Sequence, residues 1–474
     1  MTGWNGSGGG DGGHGLGVGS GKLVWDGLEE GVECGGDCQD QCLNNIGDEV
    51  TEVGGNRGWG GDRVLLRLYR VGKGAAVLNA CWWDGEGTAE RDTRCGEGEA
   101  VLDACWVGSV LIWILGLENF VEAMVGIYLS HGNLEEITLV LPNTFTTAGG
   151  VFKMAFFLRD PYSYNVLVRL MDEVLSGSSQ FSRDNQQMMS VAKEARRTAQ
   201  RLSAFIYAFV STQIIIWFPM PLIAYAGEGK LPFIQHPWIN STTFPAYDTM
   251  YALQCLSSGF HIFISLGMDC FFAVVMIHTT ACLRILSLRL TALRSDIVPS
   301  SDGSATGMCY GSREPVACDE MYKKLRACIC SHQKIIGFIS YLETVMNPIA
   351  MTQFAFSVLV ACVALYQATY SEDISAAWRC AVFLPTPGAQ VFLYCWAAHN
   401  VMEQGQAVSA AAYDSSWLAG SSRFRRALRI LMCRAEKPLV LTAGHLYPIN
   451  KPAFLSLVNA SYSYYALLGR LPSR

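Results

Sequence analysis

The chain closes on the stretch Phe454-Leu455-Ser456-Leu457-Val458-Asn459-Ala460-Ser461-Tyr462-Ser463-Tyr464-Tyr465-Ala466-Leu467-Leu468. Pro438-Leu439 and Thr442-Ala443-Gly444 come shortly before it, and residues 469–474 follow it. With its neighbours this stretch forms an apolar segment at about 452–469, marginal in length for a bilayer span, so we expect the C-terminus to lie at a membrane face. Which face it is, and why hydroxyl and aromatic side chains line the segment, decide the class of protein.

The composition favours a membrane protein. Half of the 474 residues are hydrophobic, only 16% are charged and the mean hydropathy is +0.22, which argues against a soluble enzyme. Residues 1–30 lack the apolar core of a secretory signal peptide, so we expect the first span to direct insertion. The 17 cysteines are odd in number and without paired spacing, unlike a disulfide framework. Cys34, Cys38 and Cys42 have no accompanying histidine, and we predict neither a metal site nor a cofactor.

Residues 1–100 differ from the rest of the chain. They hold 27 of the 47 glycines and show no sustained apolar period. Glycine-rich chain loses much conformational entropy on ordering, so we predict a disordered cytoplasmic head. A gene-model artefact is the alternative, because nothing in this head resembles residues 101–474. The pattern GxxxxGK[ST] does not occur, so the glycines do not predict a phosphate-binding loop.

Seven stretches of residues 101–474 are long and apolar enough to cross a bilayer. Glu118 and Glu122 interrupt the first stretch. Pro142, Gly149 and Gly150 lie in the second, where neighbouring helices would have to satisfy the freed backbone groups. The sequence therefore predicts an all-α membrane protein whose seven transmembrane helices lie at about residues 106–129, 136–158, 204–226, 250–283, 336–367, 379–400 and 452–469.

Loop charges predict the orientation of these spans. Basic residues are concentrated in three loops, with seven in 159–203, eight in 284–335 and six in 401–438. The loops on the opposite side contain Lys230 alone, with Arg379 at their edge. Because basic loops stay in the cytoplasm, we predict a cytoplasmic N-terminus and an extracellular C-terminus. The N-glycosylation sequon at Asn240 agrees, since it lies in a loop that this orientation places outside the cell.

One set of residues in the last cytoplasmic loop and the tail carries a family resemblance: Ser409, Tyr413, Trp417, Pro438-Leu439, Thr442-Ala443-Gly444, Phe454, Tyr462-Ser463-Tyr464-Tyr465 and Leu467-Leu468. Together with the inverted seven-span plan, this set resembles the insect odorant receptor family. The match is specific over about residues 395–472 and covers 106–472 in layout. The tail lacks the Thr-Tyr-x5-Gln-Phe pattern of gustatory receptors, and the 284–335 loop is too short for the family's coreceptor. The chain therefore looks like an odour-tuning subunit.

The resemblance implies a ligand-gated, non-selective cation channel of four subunits around a central pore. The implied partners are a coreceptor in a heterotetramer, a small volatile odorant and membrane lipids, with no nucleic acid. The implied location is the plasma membrane of olfactory sensory neuron dendrites. In this family the cytoplasmic ends of the later helices form an anchor for assembly, to which we assign Ser409, Tyr413 and Trp417.

The last span is the expected pore helix. At helical spacing Tyr464, Leu467 and Leu471 fall on one stripe, and a ring of apolar side chains can close a narrow pore by dewetting. The resemblance places the family's gating positions at Leu467 and Leu471. Arg470 would discourage cation entry at the outer mouth, which suggests that the coreceptor's helices dominate conduction. The alternative is that this leucine face only packs against other helices.

A ligand site for small volatiles has to be an apolar cavity with few polar groups. The outer halves of the third to sixth spans supply suitable aromatic, methionine and amide side chains. For each of them the alternative is an aromatic belt at the membrane interface. Trp217 and Tyr251 lie deeper than that belt and rank first. The candidates are Trp217, Phe218, Met220, Tyr247, Met250, Tyr251, Gln254, Tyr366 and Trp378.

Ionisable residues inside predicted spans are functional hypotheses by default. His261 and Asp269 lie two helical turns apart with no third ligand in reach, which argues against a metal site. We therefore expect Asp269 to pair with a donor on a neighbouring helix. The arginines between residues 423 and 434 follow the positive-inside rule and suit anionic lipid headgroups rather than nucleic acid.

No catalytic residues are predicted, because GxSxG, a metal-ligand set and a paired acid are all absent from the sequence. Two alternatives to an odour-tuning subunit remain. One is a gustatory-like ligand-gated channel that acts alone. The other is a membrane transporter, for which Pro385-Thr386-Pro387-Gly388 offers one broken helix.

Overall fold

Helix dominates the part of the chain that the structure describes. The computed structural model describes residues 113–128 except 115 and 122, and then 134–182, 186–224, 246–293, 315–370, 383–415 and 417–468. Residues 1–100, the sequon at Asn240, Trp378, Arg470 and Leu471 lie outside these ranges. What the sequence predicts for them stays a prediction.

The helical segment 113–128 comes first in the described residues. It is followed by α1 (Leu134–Arg159), α2 (Pro161–Ser182), α3 (Gln186–Trp217), α4 (Met220–Ala224), α5 (Ala246–Ala292), α6 (Pro315–Tyr370), α7 (Pro385–Tyr413), α8 (Ser422–Ala435) and α9 (Lys451–Leu468). A 3-10 turn, Trp417–Ala419, precedes α8. A small antiparallel hairpin, β1 (Thr442–Ala443) and β2 (Tyr447–Pro448), precedes α9.

Several helices extend well past the spans that the sequence predicts. α5 has 47 residues and α6 has 56, because both continue beyond their apolar segments as helices packed on other helices. Leu290 of α5 and Leu325 of α6 lie in these extensions and are fully buried. Hydropathy indicates which residues can lie in the bilayer, whereas packing against other helices determines where a helix ends.

The third predicted span, 204–226, forms two helices. α3 begins much earlier, at Gln186, and a turn at residues 218–219 separates it from α4. Pro219 and Pro221 have no backbone N–H to donate, which favours a break at this point. Among the described helices, three are long and apolar enough to cross a membrane by length and composition, and they lie at Gln186–Trp217, Tyr247–Ala292 and Glu320–Thr369.

Local sequence signals set several helix starts. Asp160 separates α1 from α2, and its carboxylate accepts hydrogen bonds from the backbone N–H and the hydroxyl of Ser163 at 3.2 and 2.5 Å. Ser421 caps α8 by accepting the N–H of Phe424 at 3.2 Å. Asn450 caps α9 by accepting the N–H of Ala453 at 2.8 Å. Each cap satisfies a backbone donor that has no partner inside its helix.

The hairpin before α9 turns through two left-handed residues, Gly444 with φ +62° and His445 with φ +54°. Asn347 of α6 holds it, because its amide donates to the carbonyl oxygen of Thr442 at 3.1 Å and to the Thr442 hydroxyl at 3.0 Å. The Thr442 hydroxyl donates in turn to Glu343 at 2.6 Å. The chain segment that leads into the last helix is therefore fixed to α6.

The largest hydrophobic cluster joins α2, α5, α6, α7 and α8. Phe338, Tyr394 and Phe424 are among its fully buried side chains. Gly405 of α7 allows the close approach of Leu439, since a Cβ on Gly405 would lie 2.8 Å from that side chain. A second cluster packs Val191 of α3 against α5.

Candidate ligand-binding site

A cavity lies between segment 113–128, α1, α3, α5, α6 and the start of α7. The centre of a water molecule can move through about 120 Å³ of it. A cavity of about 150 Å³ can bind benzene, so this space is of the order that one small organic molecule needs. The lining residues are Gly116, Asn119, Asn143, Phe145, Thr146, Thr147, Gly149, Gly150, Val210, Gln213, Ile214, Trp217, Phe218, Ser258, His261, Ile262, Ser265, Leu266, Gln353, Phe356, Ser357, Val360, Phe383, Thr386, Pro387 and Gln390.

Aromatic rings form much of the cavity wall. The rings of Trp217 and Phe383 have centroids 6.0 Å apart, so the end of α3 contacts the segment just before α7. Phe356 of α6 lies 6.2 Å from Phe145 and 5.9 Å from Phe152, both on α1. Such rings offer large, rigid apolar surfaces, which suit a small apolar ligand.

His261 of α5 occupies a slot between two glycines. Its Nε2 lies 3.2 Å from the carbonyl oxygen of Thr147, and a carbonyl can only accept, so this nitrogen carries the proton. A Cβ on Gly150 would overlap the imidazole, and a Cβ on Gly116 would lie 2.8 Å from Nδ1. Gly150 is thus needed for close packing in the second span, which the sequence alone did not indicate.

Beside the cavity, Asp269 of α5 forms a buried ion pair with Lys153 of α1. The ammonium lies 2.7 Å from Oδ1 and 2.9 Å from Oδ2, and both side chains are fully buried. The Tyr394 hydroxyl donates to Oδ1 at 2.9 Å, and the Gln390 amide donates to Oδ2 at 2.8 Å. These bonds offset the several kcal/mol that burying each charge costs. The prediction that Asp269 pairs with a donor on a neighbouring helix is confirmed.

Two glutamines connect this ion pair to the cavity. Gln390 of α7 and Gln353 of α6 both line the cavity, and their side-chain amides meet where Gln353 Nε2 lies 3.0 Å from Gln390 Oε1. Gln353 Nε2 also donates to the Ser357 hydroxyl at 2.8 Å. A continuous series of hydrogen bonds therefore runs from the Asp269 carboxylate to the interior of the cavity.

The predicted ligand residues divide into two groups. Trp217 and Phe218 line the cavity, whereas the other candidates among the described residues are absent from its lining: Met220, Tyr247, Met250, Tyr251, Gln254 and Tyr366. Tyr251 supports the wall from outside, since its hydroxyl donates to the backbone carbonyl of Phe218. A role in ligand contact stays a prediction for all of them.

Sequence reasoning missed most of the polar lining, including Gln353, Ser357 and Gln390. The available signal was an amide or hydroxyl inside an apolar span, which is costly unless it has a partner. Gln353 and Gln390 are 37 positions apart, and only the packing of α6 on α7 brings them together.

Tyr464 and Leu467, the two proposed pore residues that the structure describes, lie on α9 and do not line the cavity. Tyr464 and Leu467 are exposed, as are Leu455 and Val458 on the same helix. The Tyr465 hydroxyl donates to Thr369 at 3.2 Å and so attaches α9 to the end of α6. The roles of Tyr464, Leu467 and Leu471 in a pore stay predictions.

The predicted assembly residues lie at the end of α7 and just after it. Tyr413 is exposed, Ser409 and Trp417 are half-buried, and the rings of Tyr413 and Trp417 have centroids 6.4 Å apart. Their role in assembly stays a prediction. Within the described ranges, no three His, Cys, Asp or Glu residues are placed to hold a metal ion.

The sequence that forms these helices matches a known family. The family model described as "7tm Odorant receptor" matches residues 133–462, well over half of the chain. The chain belongs to the odorant receptor family. It is accordingly a receptor rather than an enzyme, and an all-α, multi-pass membrane protein with seven transmembrane helices.

Related sequences and structures agree with this assignment of the receptor. Odorant receptor 10 of Aedes albopictus is 26% identical over 312 residues, which cover 64% of this chain and 78% of that protein. Odorant receptor Or2 of Anopheles gambiae is 21% identical over 371 residues, which cover 77% of this chain and 91% of that protein.

Solved structures show the same fold. The insect olfactory receptor OR5 from Machilis hrabei superposes with a TM-score of 0.66 at 18% identity, covering 87% of this chain and 97% of that one. Its complex with eugenol gives a TM-score of 0.66 at 17% identity, covering 86% of this chain and 100% of that one.

Proposed function

We propose that the receptor is the odour-tuning subunit of an odorant-gated, non-selective cation channel. In this proposal it assembles with a coreceptor in the plasma membrane of olfactory sensory neuron dendrites. The observation that supports it best is the cavity between six helical segments in an odorant receptor fold. A related receptor of this fold has been solved in complex with eugenol.

The cavity is suited to small, mostly apolar molecules. Trp217, Phe356 and Phe383 provide aromatic surface, while a few amides and hydroxyls provide hydrogen bonds that can fix a ligand's orientation. With the extracellular C-terminus that the loop charges predict, this cavity lies in the outer half of the membrane. A volatile ligand would reach it from outside or from the outer leaflet.

Binding would open the channel through a difference in affinity between two arrangements of the helices. A ligand shifts such an equilibrium only as far as it binds one arrangement more tightly. The cavity is lined by α6 and α7, and α9 contacts α6 through Tyr465 and Thr369. The helix that we assign to the pore is therefore in contact with a helix that lines the ligand site.

The test is coexpression of the receptor with a coreceptor, followed by current recording across a broad panel of volatiles. Trp217→Ala removes a wall of the cavity, so we expect the half-maximal concentration of an active odorant to rise about tenfold or more, as for loss of a large buried aromatic contact. The matched control is Ile215→Ala on the same helix, because Ile215 is 70% exposed and absent from the lining. It should leave the response unchanged.

Each alternative has its own signature in this experiment. Odorant-evoked current from the receptor expressed alone would favour a gustatory-like channel, and substrate uptake without conductance would favour a transporter. Absence of any evoked current from receptor shown to be at the cell surface with its coreceptor would contradict the proposed function.

A further inference from the structure

We propose that the cavity selects ligands that carry a hydroxyl group on an apolar skeleton, and that Gln353 is the residue that recognises it. The proposal rests on the proposed function of the cavity as the odorant site. It follows from the direction of the hydrogen bonds that begin at Asp269.

The ion pair fixes the orientation of the first amide. Asp269 forms an ion pair with the Lys153 ammonium, 2.7 Å from Oδ1, and a carboxylate in an ion pair can only accept hydrogen bonds. The Gln390 atom that lies 2.8 Å from Asp269 Oδ2 is therefore its NH₂ group. The carbonyl oxygen of Gln390 must then face the other way, toward Gln353.

The first amide then orients the second. Gln390 Oε1 needs a donor, and the Gln353 atom 3.0 Å from it is accordingly Nε2. The other hydrogen on Gln353 Nε2 is donated to the Ser357 hydroxyl at 2.8 Å. Both hydrogens of this amide are used, and its carbonyl oxygen Oε1 accepts no hydrogen bond from the described residues.

Gln353 thus presents an acceptor to a ligand. Its side chain lines the cavity and is only 6% exposed, so a molecule that fills the cavity displaces the water available to this oxygen. A buried acceptor left without a donor costs about 1–3 kcal/mol. A ligand hydroxyl removes that cost by donating its hydrogen.

A hydroxyl also suits the neighbouring amide. Gln390 has a second N–H beyond the one given to Asp269, and a hydroxyl oxygen can accept it while its hydrogen goes to Gln353. A ketone, aldehyde or ether oxygen can accept but cannot donate, so it would leave Gln353 Oε1 unsatisfied. Sites built around a hydrogen bond discriminate strongly against analogues that lack the group.

The test compares pairs of molecules with nearly the same skeleton: benzyl alcohol with benzaldehyde, menthol with menthone, and para-cresol with its methyl ether. In every pair with an active member, we expect the hydroxyl compound to have a half-maximal concentration about tenfold lower or better. Equal potency, or a preference for the partner without a hydroxyl, would overturn the proposal while leaving the proposed function intact.

Two variants test the residues. Gln353→Met keeps the size of the side chain and removes the acceptor, so the preference should fall to about one. Gln390→Met frees the Gln353 amide to turn and offer its N–H groups, so the preference should also fall and the carbonyl compound should gain potency. Leu359→Ala is the control on α6, since Leu359 is exposed and absent from the lining; it should keep the preference.

Surface labelling of each variant checks delivery. If no compound evokes current in the coexpressed wild type, the proposed function fails, and the hydroxyl preference is then measured as thermal stabilisation of purified receptor by para-cresol against its methyl ether. Greater stabilisation by para-cresol in wild type but not in Gln353→Met would support the inference without the channel. Equal stabilisation would overturn it.

Discussion

At the scale of single residues, Lys153 and Asp269 depend on each other, because both charges are fully buried. Asp269→Asn keeps the shape and removes the charge, which leaves the Lys153 ammonium buried without its counterion. Breaking a buried pair in this way costs about 3–5 kcal/mol. We expect loss of surface receptor and a lower melting temperature in detergent, with partial recovery when Lys153→Met removes the second charge as well.

The exposed pair of Arg284 and Glu194, 3.3 Å apart, provides the control. Exposed ion pairs contribute about 0–1 kcal/mol, so Arg284→Met should leave surface level and melting temperature almost unchanged. If Asp269→Asn proved as mild as Arg284→Met, the pair would not have the structural weight that its burial indicates.

The same residues show what sequence can and cannot predict. Asp269 is conspicuous because carboxylates are rare in membrane helices. Its partner Lys153 could not be identified, since the rotation of α1 relative to α5 is not encoded in a one-dimensional pattern. Trp217 and Phe218 were candidates because of their residue type and their place in the outer half of the third span, and both line the cavity, whereas Tyr251, ranked with Trp217 by depth, does not. Gln353 was not a candidate, because its significance depends on the hydrogen-bond partner that α7 brings to it.

At the scale of elements, the hairpin before α9 joins α8 to α9. Its first left-handed residue is glycine, and a Cβ there would also lie 3.0 Å from the Met351 side chain. Gly444→Ala should therefore cost about 1–2 kcal/mol of backbone and steric energy. We expect a smaller maximal odorant current per surface receptor, measured by recording alongside surface labelling.

Leu446, at the tip of the same hairpin, is the control. It is 81% exposed, and Leu446→Ala should give the wild-type current. An equal loss in both variants would mean that the hairpin tip itself, rather than the left-handed turn, is what matters for current.

Element boundaries were the weakest part of the sequence prediction. The predicted apolar segments 136–158 and 336–367 lie inside α1 and α6. The extension of α6 back to Pro315 was not predicted, because its residues there are polar on one side and are held by packing of Leu325 against other helices. A hydropathy profile does not account for the stabilisation that such packing gives.

At the scale of the whole molecule, orientation remains a prediction of the loop charges. Asn240 should be glycosylated if the loop that contains it is extracellular. Asn240→Gln should then increase the electrophoretic mobility of receptor made in cells, as should glycosidase treatment of the wild type. A further sequon, at Asn459, lies in α9, so Asn459→Gln should leave the mobility unchanged. Mobility unaffected by Asn240→Gln would remove this support for the orientation.

The great length of α5 has a mechanical consequence. The helix contains no proline, and Leu266 in the cavity wall lies 26 residues before its end at Ala292. At 1.5 Å per residue this distance is about 39 Å. A tilt of roughly five degrees about the cavity would therefore displace the far end by about 3 Å, more than half of one helical turn. A small tilt of α5 at the cavity would therefore produce a displacement of about 3 Å at the far end of this helix.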